Sequence, residues 1–332
     1  MTKGRKMNLF EPIMNQMIYL FTLILIGYLL TKLRAIPDGC AKALSRLESM
    51  LFIPALVLST FINNFTTEKL AVCGKIFLLS AVMTAVIIPS AILVSRLIYG
   101  KDAYLRKIAT YGLSFANFGY MGNAIMSYVF PDIFMEYTIF VMPLWIMIYL
   151  WGVPTLLIAD SDGDDGVKKT FYGRIKPLIN PMFIAMLIGM VLGITGLTKF
   201  IPSSIMSVVK VSGDCMSPIA MLLTGMIVAA SDIKILLTRW KTYLLSVVRL
   251  VAFPLVFILV FSLIPKSDLV SETFLTCAMC SLAMPLGLNT IVVPGGYGKD
   301  TTDAAGMALI SHTLSVATIP LMFMLFNTLV LK

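Results

Sequence analysis

The stretch Ser114-Phe-Ala-Asn-Phe-Gly-Tyr-Met-Gly-Asn123 places two glycines and two asparagines inside a long apolar segment. A second stretch, Ser281-Leu-Ala-Met-Pro-Leu-Gly-Leu-Asn289, begins 167 positions later, since 281 − 114 = 167. Proline removes a backbone donor and crowds the preceding helical turn, while glycine permits unusual backbone angles and close approaches. We therefore expect each stretch to interrupt a helix. Paired interruptions in corresponding segments of a repeated chain are the best sequence indication of a membrane transporter's binding site.

The composition is that of an integral membrane protein. Hydrophobic residues make up 58% of the 332 residues and charged residues 13%, about half of the roughly 25% that is usual in soluble domains. The mean hydropathy is +0.92. A helix needs about 20 apolar residues to cross a bilayer, which predicts an all-α fold with ten spans. The predicted spans are residues 13–31, 41–62, 71–98, 104–130, 135–158, 179–197, 203–230, 242–264, 271–294 and 304–330.

The chain also contains an internal repeat. The recurring pairs are Ile26-Gly27 with Ile188-Gly189, Pro37 with Pro202, Pro54 with Pro218, and Pro89 with Pro254. Five spans per repeat is an odd number, so the second copy enters the membrane upside down. We expect residues 1–158 and 177–332 to form two inverted repeats, joined by a cytoplasmic linker over residues 159–176.

The basic residues predict the orientation. Lys and Arg concentrate in the connections that follow the odd-numbered spans, and such residues mark cytoplasmic loops. We expect a multi-pass protein of the plasma (inner) membrane with both termini on the extracytoplasmic side. This placement also accounts for the formal net charge of +9 without nucleic acid as a partner.

The two interruptions are the predicted substrate site. In lipid, each freed backbone N–H or C=O must be satisfied by protein or by a water-filled cavity. The half-helices that follow the interruptions would bring two N-termini together, each with a partial positive charge and unpaired N–H donors. Such a site favours an anion, and asparagine amides could add hydrogen bonds to a carboxylate. The residues expected to shape the site are Asn117, Gly119, Gly122, Asn123, Pro285, Gly287 and Asn289.

Ionisable residues inside spans are further candidates, because inserting one costs about 2.5–3.5 kcal/mol. Arg249 either meets a substrate carboxylate or pairs with a structural acid or with backbone carbonyls. Asp214 is a candidate coupling-ion or proton site, although an ion pair with Lys210, one turn earlier, is an equal alternative. His312, the only histidine, could relay protons, but a hydrogen-bonded packing role is the preferred interpretation. Glu48 is interpreted as a boundary residue near the cytoplasmic end of its span.

Neither an enzyme nor a metal or cofactor site is predicted. One histidine and scattered acids offer no nucleophile–base pair and no metal cluster. Cys277 and Cys280 match C-x-x-C, but they lie in an apolar helix without a second pair, so they are interpreted as packing residues. The isolated prolines of the other spans are interpreted as simple kinks; they are Pro54, Pro89, Pro143, Pro254 and Pro320.

Several segments together carry a family resemblance. They are Ile26-Gly-Tyr-Leu-Leu30, Phe52-Ile-Pro-Ala-Leu56, Phe115-Ala-Asn-Phe-Gly-Tyr-Met-Gly122, Asn180-Pro181, Pro218-Ile-Ala-Met-Leu-Leu-Thr-Gly225 and Met284-Pro-Leu-Gly-Leu-Asn289, followed by Gly296-Tyr-Gly-Lys-Asp300. In their order and spacing the chain resembles the auxin efflux carrier family, which includes bacterial malate and malonate permease-like proteins and the plant PIN auxin exporters.

The resemblance implies a ten-helix fold similar to that of bile acid:sodium symporters, with helices 4 and 9 broken and crossing. Helices 1, 2, 6 and 7 would form a scaffold that dimerises, and helices 3–5 and 8–10 a moving transport unit. In the plant carriers an asparagine beside a proline contacts the substrate carboxylate at the fourth-helix crossing, and Asn117 is the matching position. The adjoining proline is absent, since Ala116 precedes Asn117 and Phe118 follows it.

The predicted function is therefore secondary active transport. We expect a permease that moves a small organic anion, such as a mono- or dicarboxylate, by alternating access, with H⁺ or Na⁺ as the coupling ion. Its other partners would be the lipid bilayer and a second copy of the chain. Sodium-coupled symport of a bulkier amphipathic acid is one alternative, and a non-transporting membrane receptor is another. Short loops between helical repeats leave no output domain, which favours transport.

Overall fold

The computed structural model describes residues 10–37, 39–158, 181–229, 239–267, 270–296 and 299–331. Within these ranges the chain is helical, and the one pairing of extended backbone is an isolated bridge between Ala116 and Leu286. The prediction of an all-α protein is confirmed for this part of the chain. The predicted linker over residues 159–176 lies outside the described residues.

Twelve main helices run through the described ranges. In chain order they are α1 (Phe10–Lys32), α2 (Cys40–Asn64), α3 (Leu70–Tyr99), α4 (Ala103–Ser114), α5 (Asn123–Val129), α6 (Pro131–Ile158), α7 (Pro181–Thr195), α8 (Ser203–Ala229), α9 (Trp240–Leu263), α10 (Glu272–Ala283), α11 (Asn289–Gly296) and α12 (Thr302–Leu329).

Seven of these helices are long and apolar enough to cross a bilayer, namely α1, α2, α3, α6, α8, α9 and α12. The shorter apolar helices α7 and α10 accompany them. Large apolar side chains such as Leu78, Leu97 and Val208 are 65%, 76% and 66% exposed. These are three of many exposed large apolar residues. A surface that faces water does not normally carry so many, so we interpret this surface as facing lipid. The protein is therefore an integral membrane protein.

Two glycines of the sequence repeat lie where helices cross closely. α1 packs against α8, and α7 packs against α2. A side chain at Gly27 would run into the carbonyl of Leu222 in α8, and a Cβ at Gly189 would lie 2.7 Å from the Cβ of Phe61 in α2. Small residues let the backbones of membrane helices approach in this way. The paired glycines therefore mark corresponding helix contacts.

Two of the prolines interpreted as kinks follow π-helical turns. The turn Glu48–Phe52 precedes Pro54 in α2, and the turn Val248–Ala252 precedes Pro254 in α9. Proline cannot donate a hydrogen bond, and its ring crowds the preceding turn. A π-helical turn accommodates this mismatch by widening the helix locally. Each of the two turns also holds one buried ionisable side chain.

The two helices that lead into the interruptions begin at side-chain caps. The Asp102 carboxylate caps α4 and the Ser271 hydroxyl caps α10, each accepting from a backbone N–H three residues later, at 3.0 and 3.2 Å. Both helices then stop at an extended residue, Phe115 after α4 and Met284 after α10. Met284 is extended because Pro285 follows it and disfavours helical angles in the preceding residue.

Candidate functional site

The two interruptions lie against each other. The predicted spans at 104–130 and 271–294 are each split, the first into α4 and α5 and the second into α10 and α11. Between the halves, Ala116 and Leu286 form an antiparallel bridge. The Asn117 N–H donates to the Pro285 carbonyl at 2.8 Å. Two stretches that are 167 positions apart are thus brought together in space.

Glycine allows this close approach. A Cβ on Gly287 would lie 2.7 Å from the Phe115 carbonyl oxygen, which is closer than a side chain tolerates, so the second interruption can reach the first only with glycine here. Gly122 makes room for a side chain from α6. The Tyr137 hydroxyl occupies the space that a side chain at position 122 would need, and this hydroxyl donates to the Phe118 carbonyl at 3.2 Å.

Arg249 joins the ends of the two helices that precede the interruptions. Its guanidinium donates to three backbone carbonyls: Nε to Met284 at 3.1 Å, Nη1 to Leu113 at 3.0 Å and Nη2 to Ser281 at 2.8 Å. Carbonyls where a helix stops lack helical partners, and a cation is favoured there. Of the alternatives for Arg249, the structure shows pairing with backbone carbonyls.

A cavity of about 210 Å³ lies beside the paired interruptions, between α2 and α6. Four of the seven predicted site residues line it, namely Asn117, Gly119, Gly287 and Asn289. The lining also includes polar and aromatic residues that were not predicted from the sequence, among them Ser45, Ser49, Tyr120, Trp145 and Tyr149. Ser45 with Ser49, and Trp145 with Tyr149, have i, i+4 spacing, which places both members of each pair on one helix face. This spacing is the sequence pattern from which these four residues could have been predicted.

Asn117 is held by His312. Asn117 Nδ2 lies 2.9 Å from His312 Nε2, and His312 Nδ1 lies 2.7 Å from the Ala308 carbonyl oxygen. A carbonyl only accepts, so Nδ1 carries the proton and Nε2 accepts from the Asn117 amide. No described residue accepts from the second N–H of that amide nitrogen. His312 is buried and bonded through both ring nitrogens, as the packing interpretation predicts.

The other two asparagines differ in position. Asn289 lines the cavity, and its Nδ2 donates to the Tyr111 hydroxyl at 3.0 Å. Each lining asparagine is thus oriented by a side chain from another helix, Tyr111 on α4 or His312 on α12. Asn123 lies outside the cavity wall, where its Nδ2 donates to the Gly119 carbonyl at 2.8 Å.

Unpaired N–H groups face the cavity at both interruptions. The first continues into the π-helical turn Phe118–Gly122, which leads into α5. Among the described residues, no acceptor is bonded to the N–H groups of residues 118–120, or to those of Leu288 and Asn289 at the second interruption. All five residues line the cavity. Two helix N-termini therefore supply donors and partial positive charge to one small space.

Asp214 lies away from this cavity. Its carboxylate pairs with Lys210 at 3.1 Å, with side-chain exposures of 62% and 72%. It lines a separate cavity of about 470 Å³, between α1, α5 and α8. The structure thus shows the ion-pair alternative. Among the described residues, no group of three or more His, Cys, Asp or Glu side chains is placed to hold a metal ion.

Glu48 was interpreted as a boundary residue, and the structure adds that its side chain is enclosed by protein. Its side chain is 0% exposed, and no described residue donates a hydrogen bond to either carboxylate oxygen. With Ser45 and Ser49 it follows the i, i+3, i+4 pattern of one helix face. A position near the start of the helix therefore does not by itself expose the carboxylate.

Apolar membrane helices, two interrupted helices that meet, and a small cavity with polar lining residues at their meeting point are typical of a multi-helical membrane transport protein. A family model described as "Membrane transport protein" matches residues 12–323. The chain therefore belongs to this membrane transport family, and its resemblance to the auxin efflux carrier and malate permease-like proteins is confirmed. This is a family of transport proteins and not of enzymes. No curated protein matches the chain.

Proposed function

We propose that the protein is a secondary active transporter, a permease that moves a small organic anion across the plasma membrane by alternating access. The observation that carries this proposal is the pair of N-termini at residues 118–120 and 288–289, whose unpaired N–H groups line one cavity. A mono- or dicarboxylate is the substrate class that such donors suit best, because an ionised carboxylate only accepts hydrogen bonds.

The lining residues supply enough attraction to select an anion. A favourably placed charge at a helix N-terminus gains about 0.3–1 kcal/mol, and up to about 2 kcal/mol when partly buried. Two such termini would stabilise a bound carboxylate by roughly 1–4 kcal/mol. The free N–H of Asn117 and the amide of Asn289 add directional donors. The same arrangement disfavours a cation.

The size of the cavity supports a small substrate. Its volume of about 210 Å³ is below the range of about 300–1,000 Å³ that is usual for drug-sized ligands. This favours a small acid over the alternative of a bulkier amphipathic acid. The rings of Trp145 and Tyr149, stacked with centroids 5.8 Å apart, form one wall. They give the carbon skeleton of an acid an apolar surface.

We further infer ten spans in two inverted repeats, residues 1–158 and 177–332. The matching contacts of α1 with α8 and of α7 with α2 support this, as does the presence of one interrupted helix in each half. In this arrangement α1, α2, α7 and α8 form the scaffold through which two copies associate. The remaining helices form the moving unit, and the cavity lies between the two parts.

The position of the cavity indicates which side it serves. Ser45 lies five residues after the start of α2 at Cys40, and Tyr149 lies nine residues before the end of α6 at Ile158. Both helix ends adjoin connections with the basic residues typical of cytoplasmic loops. We therefore propose that this conformation faces the cytoplasm, with both termini on the opposite side.

The proposal can be tested with purified protein in liposomes. We expect labelled malonate or malate to be taken up in a saturable manner, and Asn117→Ala to reduce this uptake strongly while the amount of folded protein stays the same. A hydrogen bond to a charged group contributes about 1.5–3 kcal/mol, so binding should weaken by roughly 10-fold to 150-fold.

Asn64→Ala is the matched control, because the Asn64 amide donates to the Thr60 carbonyl at 2.9 Å, outside the cavity. Uptake by this variant should equal that of the wild type. Unchanged uptake in Asn117→Ala would remove Asn117 from the site. If neither malonate, malate nor a monocarboxylate such as acetate binds or crosses, the anion proposal is wrong.

A further inference from the structure

Glu48 is the most fully enclosed acid in the described part of the chain. It starts the π-helical turn of α2, and its side chain is 0% exposed, while Met50 and Leu51 in the same turn are 56% and 44% exposed. The carboxylate therefore points into the protein from a helix that is apolar on its outer side. α7 and both halves of α8 pack against this turn.

Within the part of the chain that the structure describes, the carboxylate forms no ion pair. Both oxygens are buried and no described residue bonds to them. α7 has no titratable residue between Pro181 and Thr195, and on α8 Lys210 and Asp214 are exposed and paired with each other. The Tyr120 hydroxyl lies within electrostatic reach of Glu48, and α8 also carries the half-buried free thiol of Cys215.

Burial without a partner determines the state of the group. An ionised carboxylate that loses its water and gains neither a cation nor a hydrogen-bond donor is strongly destabilised. A carboxylic acid avoids this cost, because the neutral form needs far less solvation. In the described conformation the Glu48 side chain is therefore stable only with a proton attached.

Glu48 adjoins the substrate cavity. The Tyr120 hydroxyl lies near Ser45, and both residues line the cavity wall, with Ser45 three residues before Glu48 on the same helix. A negative charge at Glu48 would repel an anion in the cavity, and a proton on Glu48 removes that charge. Proton binding and anion binding therefore favour each other, and such coupling is reciprocal.

We propose that Glu48 is the proton-binding site that couples anion transport to proton movement, so that one proton enters and leaves together with each anion. The inference rests on the proposed anion transport. When the moving unit shifts relative to α2 and water reaches the carboxyl group, the O–H bond of Glu48 breaks and water accepts the proton. The anion and the proton are then released on the same side, and the empty carrier takes up a new proton before the next anion binds.

Proton coupling is measured in liposomes that enclose the pH dye pyranine, with malonate as the probe. In the wild type, external malonate should acidify the interior, and an inward proton gradient should speed uptake. In Glu48→Gln, a neutral isostere, exchange of labelled for unlabelled malonate should persist, while acidification and the response to the gradient are lost. Asp214→Asn removes an exposed carboxylate from the neighbouring α8 and should behave as the wild type.

Two transport results would overturn the proposal. One is malonate-driven acidification that persists in Glu48→Gln, because another group would then carry the proton. The other is wild-type uptake that follows a sodium gradient without acidification.

A second measurement is independent of the cargo. Infrared spectra of the wild type at neutral pH should contain a carboxylic-acid C=O band that is missing from Glu48→Gln and retained in Asp214→Asn. This band would uphold proton binding at Glu48 even if malonate and malate do not cross, a result that would count against the proposed function instead. Its absence would show that Glu48 is ionised, and would end the proposal.

Discussion

Arg249 and Glu48 have the same local setting and opposite surroundings. Each lies in a π-helical turn that precedes a proline, Pro254 in α9 or Pro54 in α2. Each is buried, with 2% and 0% exposure. Arg249 donates to three backbone carbonyls, whereas no described residue bonds to the Glu48 oxygens.

The difference shows what determines the role of a buried ionisable group in a membrane protein. Arg249 meets carbonyls that had lost their own partners where α4 and α10 stop, so the cation and the carbonyls stabilise each other. Glu48 meets no such donors, and a proton is the simplest partner that it can take. Because all its hydrogen bonds are made, Arg249 is part of the structural framework. Because Glu48 has no hydrogen-bond partner in the described protein, it is free to bind and release a proton.

Replacing Arg249 should have the largest effect on stability. Arg249→Gln cannot reach three carbonyls at once, and each buried polar group left unpaired costs about 1–3 kcal/mol. We expect a loss of roughly 3 kcal/mol or more, seen as a much lower melting temperature in detergent or as no folded protein. Circular dichroism and gel filtration measure both.

Arg96→Gln is the matched control, since Arg96 is exposed in the last turn of α3, and its melting temperature should not change. If Arg249→Gln unfolds at the wild-type temperature, the three hydrogen bonds do not hold the interrupted helices together. Arg249 could then no longer be contrasted with Glu48 as a structural residue.

Replacing His312 should have the second-largest effect on stability, because His312 is buried and makes two hydrogen bonds, whereas Arg249 makes three. His312→Leu removes the acceptor of the Asn117 amide, at a cost of about 1–3 kcal/mol. The amide would then turn freely, and malonate uptake at low concentration should fall further than the loss of folded protein explains. His312→Gln offers an acceptor oxygen in place of Nε2 and should restore part of the uptake. Equal uptake by the Leu and Gln variants would mean that His312 only fills space.

The interruptions themselves could be predicted from the sequence. Glycine, proline and asparagine act on the backbone of their own segment, so local chemistry was enough to place the ends of α4 and α10. The repeat then indicated that the two places correspond. Four of the seven predicted residues line the cavity, because they belong to the interrupted backbone itself.

The surroundings of the ionisable residues could not be predicted in the same way. Whether Arg249 meets a carboxylate or a carbonyl depends on which helix ends lie beside it in the fold. The sequence around Arg249 does not indicate which helix ends these are. The burial of Glu48 was not predicted, because its position along α2 indicates depth in the membrane but not which face of the helix is covered by protein. For Asp214 the i, i+4 spacing to Lys210 was a local signal, and there the ion-pair alternative matched the structure.

Glu48→Gln should preserve stability, in contrast to Arg249→Gln. The amide has nearly the shape of the protonated acid and carries no charge, so the burial of the side chain is no more costly. We expect a melting temperature in detergent at neutral pH that equals or exceeds that of the wild type. A clear decrease would show that the Glu48 carboxylate has a stabilising partner in the folded protein, and the contrast with Arg249 would disappear.

Asp214→Asn should have the smallest effect. The substitution removes one carboxylate charge, as Glu48→Gln does, but from a side chain that is 62% exposed and paired with Lys210 within one helix. Exposed pairs of this spacing contribute about 0.3–0.5 kcal/mol, so the melting temperature and malonate uptake should stay close to those of the wild type. The two substitutions differ mainly in burial, and comparing their proton signals separates the effect of enclosure from that of charge. Loss of proton coupling in Asp214→Asn would show that exposure to solvent does not exclude an acid from coupling, and enclosure would no longer distinguish Glu48.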